Sequence, residues 1–307
     1  MAYDLTEPLV IGIGSRALFD LEMENEIFET QGLKAYEEYQ VQHEKEILKE
    51  GPAFQLVKAF LDLNQLQPDK RLVEVIVMSR NSPNTSLRIF NSIKGHDLDI
   101  TRAALCGGSS ISPYLKAFNT ALFLSANQED VKLAVDDGIA AGMILPGNFP
   151  AEPHVPIPQI RIAFDGDAVL FAAESEKIFQ KEGIQAFIDH EREKADIPME
   201  EGPFASFLRT LAHIQAMFMD NQGQSPIRTA LVTARNAPAH ERAIKTLRSW
   251  GVHIDEAFFL GGVRKKDVLS AFGAHIFFDD QKLHVASASE VVPSAMVPYR
   301  EGDDPRA

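Results

Sequence analysis

The sequence predicts an α/β protein built of two tandem halves, each a parallel sheet with helices on both faces. Three observations lead there. The chain repeats itself with a period near 150 residues, short buried-strand runs alternate with helical stretches, and a proline-rich segment separates the repeats.

The repeat rests on six anchors that recur in the same order. Leu18-Phe19 and Leu170-Phe171 stand 152 residues apart. Ile27-Phe28, with Gly32 and Ala35 after it, returns 151 residues later as Ile178-Phe179 with Gly183 and Ala186. Gly51-Pro52 returns as Gly202-Pro203, again at 151. Arg80-Asn81-Ser82-Pro83 matches Arg235-Asn236-Ala237-Pro238 at 155, Gly107-Gly108 matches Gly261-Gly262 at 154, and Phe123 matches Phe277 at 154. A period this long is a duplicated domain rather than a solenoid unit. The expected boundaries are 1–145 for the first half, 146–158 for a linker carrying five prolines, and 159–307 for the second half.

In the second half, 160–164 is a short apolar run and reads as a buried strand. Residues 174–193 and 204–219 read as helices, and 227–233 as a second buried strand. Pro238 opens a helix through Trp250, and Gly251 ends it as a left-handed cap. Residues 257–260 and 275–278 are two more strands with a helix between them. Strands alternating with helices indicate a parallel sheet covered on both faces, and such sheets bind ligands at the carboxyl ends of their strands.

Composition narrows the function. Of 307 residues, 45% are hydrophobic and 24% charged, which suits a globular protein with a sizeable core. The formal net charge of −14 argues against nucleic acid or an anionic membrane as a partner. The single cysteine, Cys106, rules out disulfide frameworks and cysteine-rich zinc sites within the chain. No signal-peptide pattern opens the sequence and no apolar run has membrane-spanning length, so a cytoplasmic protein is expected.

The chemistry lies at four strand ends of the second half. Phe164-Asp165-Gly166-Asp167-Ala168-Val169 sets two carboxylates one residue apart just after a strand, with Gly166 expected to turn the loop tightly. Thr233 ends the next strand. Lys265 follows Gly261-Gly262 at a helix start, with Lys266 as its rival. Asp279-Asp280 ends Ile276-Phe277-Phe278. This set fits phosphoryl transfer: a carboxylate attacks phosphorus and a second moves the proton. A hydroxyl and an ammonium hold the phosphoryl oxygens, and a further carboxylate helps bind Mg²⁺.

In this order the residues resemble the haloacid-dehalogenase superfamily of phosphatases. The resemblance implies Asp165 as nucleophile, Asp167 as acid/base, Thr233 as phosphate binder, Lys265 as charge-stabilising lysine and Asp279 as magnesium ligand. Asp165 and Asp167 would share the metal site, and Asp280 would join it. The wording of FDGDAVLF (164–171), VTARNAPAHERAIK (232–245), HIFFDDQ (275–281), SRALF (15–19) and SRNSP (79–83) is similar to the cytosolic 5′-nucleotidases of type I. That family implies Mg²⁺-dependent hydrolysis of nucleoside 5′-monophosphates such as AMP, with Ala234 and Arg235 joining Thr233 at the substrate. The helices over 174–219 would form a small cap that excludes bulky substrates. Another small-molecule phosphatase, a nucleoside phosphotransferase and a nucleotide-binding regulatory protein with vestigial turnover are the alternatives. His213, His240 and His284 form no metal-ligand spacing and read as surface or core histidines.

The first half lacks this machinery. Ile13 and Ser15 are expected opposite Asp165 and Asp167, Ser125-Ala126 opposite the carboxylate pair, and Met78 or Ser79 opposite Thr233, and 109–112 offers no lysine. This half either serves as support or as a subunit interface in a homo-oligomer, or it covers the active half and lends Arg16 and Arg80 to a substrate or effector.

Overall fold

The strand segments are apolar almost without interruption, as a sheet buried on both faces requires. The computed structural model describes residues 3–145, 158–221 and 223–304. The linker expected over 146–158 lies, apart from Pro158, outside the described residues. The first five strands are β1 (Leu9–Ile13), β2 (Val73–Ser79), β3 (Arg102–Leu105), β4 (Leu122–Ser125) and β5 (Ala140–Ile144). The second five are β6 (Ile160–Phe164), β7 (Ile227–Thr233), β8 (Glu256–Phe259), β9 (Ile276–Asp279) and β10 (Ser294–Met296). Every residue of β1, β2 and β4 is buried, whereas the edge strands β3 and β8 are only partly covered.

The ten strands form one continuous sheet in the order β3-β2-β1-β4-β5-β10-β9-β6-β7-β8. The strands within each set of five run parallel, and the two sets share one internal order. They join through β5 and β10, which pair antiparallel with Ala295 opposite Ile144 and Met296 opposite Met143. Gly142 makes this seam possible, because a Cβ there would lie 2.8 Å from the Ala295 methyl and 3.1 Å from the Phe278 ring.

The antiparallel seam corrects one expectation. It turns the two halves head to tail, so the carboxyl ends of β1–β5 and of β6–β9 lie at opposite edges of the sheet. Five strand steps separate β1 from β6, about 24 Å. The first half therefore does not cover the strand ends of the second.

Hydrogen bonds fix which residues stand in matching places. Gly14 N–H donates to the Leu124 carbonyl and Asp165 N–H to the Phe278 carbonyl, both at 2.8 Å. Asn81 N–H donates to Ser79 Oγ at 3.1 Å and Arg235 N–H to Thr233 Oγ1 at 3.2 Å. Gly14 thus occupies the place of Asp165, where Ile13 was expected, and Ser79 rather than Met78 that of Thr233. The slip arises because the second half carries one extra residue in the loop after β6, where Ala168 takes a left-handed φ of 60°. The frames realign where Gly51 N–H meets the Leu18 carbonyl and Gly202 N–H the Leu170 carbonyl.

Two helix boundaries also differ from expectation. The helix Glu174–Glu193 is broken at Gly183, which has φ 85°. Gly32 has φ 84° between helices Glu22–Gln31 and Leu33–Gln42. After β7 the helix begins at His240 rather than Pro238, and Gly251 follows its end at φ 66°. Against β6, Phe164 stacks on Phe278 at 5.6 Å and meets Phe204 at 6.1 Å. These buried rings hold the ends of β6 and β9 in register.

Candidate active site

The carboxyl ends of β6 and β9 bring Asp165, Asp279 and Asp280 together. One carboxylate oxygen from each lies within 4.8 Å of the others, and all three residues are buried. Lys265, the first residue of the helix Lys265–Phe272, reaches in between them. Its Nζ lies 2.7 Å from Asp165 Oδ1 and donates to Asp279 Oδ2 at 2.6 Å. Lys266 instead turns outward to Glu290. The arrangement thus places Lys265 at the carboxylates and its neighbour on the surface.

Three buried carboxylates face one ammonium, and their proton affinities reflect that imbalance. Burial pushes Asp165 up to about 7, with Asp279 and Asp167 adding to the rise and Lys265 opposing it. Burial pushes Asp280 up to about 9, helped by Asp165 and Asp279. Asp279 is also buried, but Lys265 and His284 outweigh that and hold it below the usual carboxylate range. Lys265 is raised despite burial, because Asp165 and Asp279 favour its charged form. His284, read from the sequence as an ordinary histidine, places Nδ1 3.3 Å from Asp279 Oδ2.

This donor set fits a hard divalent cation. Such ions take carboxylate oxygens, and a dication would offset the excess negative charge. Asp280 supports the fit: Tyr299 donates to its Oδ2, while its Oδ1 is buried with no hydrogen-bond partner. Asp165, Asp279 and Asp280 could hold the ion. The Asp167 carboxylate is not part of this cluster.

Asp167 belongs to a neighbouring buried network. Arg235 grips both its oxygens, Nε to Oδ2 at 2.8 Å and Nη2 to Oδ1 at 2.6 Å. The other side of the guanidinium meets Glu191, and Glu191 also accepts from Arg242 at 2.9 Å and Ser175 at 2.7 Å. Phe187 and Phe171 lie 5.4 and 5.9 Å from the Arg235 guanidinium carbon. Arg235 is 3% exposed and so is turned away from solvent, whereas Ala234 beside it is exposed. Thr233 ends β7, 1% exposed, directly across from the loop of Asp165. Gly166 matters through that closeness: its φ is not left-handed, but a Cβ would sit 3.3 Å from Thr233 Oγ1.

The structure therefore gathers Asp165, Asp279, Asp280 and Lys265 at one point, with Thr233 at the end of β7 and Asp167 on the loop after β6 beside them. Arg16 and Arg80 line a cavity in the first half, at the opposite edge of the sheet. Sequence reasoning missed Tyr299, His284 and Glu191. Tyr299 and Glu191 reach their partners across long stretches of chain, Tyr299 from beyond the last strand and Glu191 from the far end of a charge-rich helix, whereas His284 lies one turn into the helix after Asp279. No local pattern marks Tyr299 or Glu191.

Comparison with known proteins gives the family. A family model described as 5′-nucleotidase matches residues 1–304. Cytosolic 5′-nucleotidase 1B of Homo sapiens is 38% identical over 291 residues, covering 92% of this chain and 47% of that relative. The chain thus spans about half the length of the curated relative it matches. Among solved structures, histidinol dehydrogenase from Elizabethkingia anophelis aligns over 78% of this chain and 48% of its own, with 9% identity and a TM-score of 0.24. That likeness is too weak to carry an argument.

Proposed function

The chain belongs to the 5′-nucleotidase family, and on that premise we propose that it hydrolyses nucleoside 5′-monophosphates, AMP among them, through a phosphorylated Asp165. The observation that carries the reading is the buried Asp165 carboxylate, 2.7 Å from the Lys265 ammonium and clustered with Asp279 and Asp280. A nucleophile facing a phosphate dianion needs its charge offset and its position fixed, and this cluster supplies both.

In the proposed reaction, an Asp165 oxygen attacks phosphorus and the bond to the nucleoside 5′-oxygen breaks. Asp167 gives the departing oxygen its proton. Both Asp167 oxygens are held by Arg235, so that pairing opens, or rotates, as substrate enters. Water then attacks the phosphoryl group on Asp165, Asp167 takes the water proton, and phosphate leaves with Asp165 restored. Thr233 and Lys265 hold the phosphoryl oxygens. A Mg²⁺ held by Asp165, Asp279 and Asp280 would supply the positive charge that lets an anionic nucleophile approach an anionic phosphate.

The same reading takes the two halves as copies of one duplicated domain and the protein as cytoplasmic. The shared strand order, the matched hydrogen bonds at Gly14 and Asp165, and the name of the human relative support these readings. Phosphate release from a panel of nucleoside monophosphates, with Mg²⁺ or with chelator, tests the function. Release must need the metal and must vanish in Asp165→Asn. Full activity in that variant would sink the covalent route, and release from sugar phosphates but no nucleotide would sink the substrate class.

A further inference from the structure

A cavity of 490 Å³ opens at the carboxyl ends of the first-half strands, in the size range of small-molecule sites. Its origin is a difference between the halves. In the second half the Arg235 side chain fills the matching space, between the Phe171 and Phe187 rings. Asn81, and not the Arg80 that the sequence repeat pairs with Arg235, stands in its place in the first half, as the matching backbone contacts to Ser79 and Thr233 show. The shorter side chain leaves the space open. It also leaves the Asn81 Nδ2 buried without a hydrogen-bond partner, and Arg16 Nε is in the same condition. Both residues line the cavity. Neither atom is open to water, so a turn of the side chain toward the cavity would bring the donor to a ligand acceptor and relieve its desolvation cost.

The lining indicates what kind of ligand. Phe28 and Tyr36 meet edge to face at 5.9 Å, matched in the second half by Phe179 and Phe187 at 6.2 Å. Such a pair offers an apolar face to a planar ring. Ser15 and Ser79 place hydroxyls 3.2 Å apart at the strand ends. Phosphate-holding groups, by contrast, are gone. Ile111 stands three residues past the glycine pair, where Lys265 stands in the other half. Arg80 is closed by Asp130 at 2.6 Å and Glu129 at 2.9 Å, and the outer nitrogens of Arg16 go to Asn25 and Glu22. With Glu24, Glu37 and Asp130 in the wall, the cavity carries no excess of positive charge.

We propose that this cavity binds an uncharged nucleoside, a planar base on a hydroxylated ring, without metal and without turning it over. The ligand class rests in part on the nucleotidase reading of the second half; the cavity and its unpartnered donors do not.

Equilibrium dialysis of radiolabelled adenosine against the full chain in excess EDTA tests the proposal. Wild type and Asp165→Asn should retain adenosine saturably, at one equivalent per chain. Phe28→Ala and Asn81→Leu should weaken retention at least about tenfold, and AMP should be retained less well than adenosine. Phe28 is half-exposed, so its loss leaves the fold intact, and metal-dependent phosphate release in both variants checks this. Three results would overturn the proposal. One is no saturable retention at millimolar adenosine. Another is retention lost in Phe179→Ala but kept in Phe28→Ala, which would locate binding in the second half. The third is tighter retention of AMP, which would mark an anion site. Failure of wild type to release phosphate would sink the nucleotidase reading and leave the dialysis result to decide this one.

Discussion

The two edges of the sheet carry the same backbone and opposite chemistry. At one edge, Asp165, Asp279, Asp280 and Lys265 form a buried charge cluster. At the other, Gly14, Ser125, Ala126 and Ile111 occupy the corresponding places. Even the backbone contact after the fourth strand is kept: Gln281 N–H donates to Asp279 Oδ1 at 2.8 Å and Asn127 N–H to Ser125 Oγ at 3.1 Å. The difference teaches that buried charges come and go as a set. Removing the carboxylates together would strand the lysine, and removing the lysine alone would strand the acids that face it. Either leaves an uncompensated charge in a low-dielectric interior, which costs several kcal/mol. The first half shows the outcome with every member neutral.

The largest expected effect comes from carrying the first-half residue into the second. Asp165→Gly recreates the Gly14 strand end and removes the attacking oxygen. Phosphate release from AMP with Mg²⁺ should fall by about 10⁴-fold or more, as loss of a covalent nucleophile does. The backbone bond from residue 165 to Phe278 remains available, so the fold should survive. Residual activity within about tenfold of wild type would show that another group can attack and would break the comparison.

Lys265→Ile, which copies Ile111, should be next. Loss of one preorganised charge at the phosphoryl group costs roughly 10² to 10³ in kcat. It also strips the three carboxylates of their ammonium, so urea unfolding in chelator should show a loss of about 3–5 kcal/mol. A variant that loses activity but no stability would mean that the carboxylates shed their charge by taking protons.

Much of this site was legible in the sequence, and the reasons differ by residue. Asp165, Thr233, Lys265 and Asp279 sit at strand ends or helix starts, where the order of apolar runs and glycines locates them. The direction in which the halves join was not legible. It depends on β10, three residues long, pairing antiparallel with β5 across a glycine. Such a strand is too short to leave a periodic pattern. The role of Arg235 was also hidden, because an arginine beside a phosphate motif suits substrate as well as it suits Asp167. Only the position of Glu191, brought in by a helix kinked at Gly183, decides where the guanidinium goes.

Arg235→Asn sharpens that point, since it copies Asn81. It leaves Asp167 and Glu191 without their shared cation, and Glu191 then relies on Arg242 and Ser175 alone. Stability should drop by about 3 kcal/mol, and kcat for AMP should fall with little change in KM if Arg235 positions Asp167 rather than substrate. A rise in KM at constant kcat would instead assign the guanidinium to the nucleotide. Arg235→Lys should recover stability in part but not the two-point grip on the carboxylate.

The smallest effect tests the seam on which the comparison depends. Gly142→Val adds a branched side chain where a Cβ already falls 2.8 Å from the Ala295 methyl. The neighbour is a short, stiff side chain on the adjoining strand, so the backbones of β5 and β10 must part to admit it. Overpacking of this kind costs about 1–3 kcal/mol. Because Asp279 lies on β9 beside β10, the strain should also reach the carboxylate cluster, seen as a weaker Mg²⁺ dependence of activity. The double variant Gly142→Val with Ala295→Gly returns the space and should recover most of both losses. Full stability in the single variant would mean that the halves do not meet through this pair, and the head-to-tail relation between the two strand-end sites would fall with it.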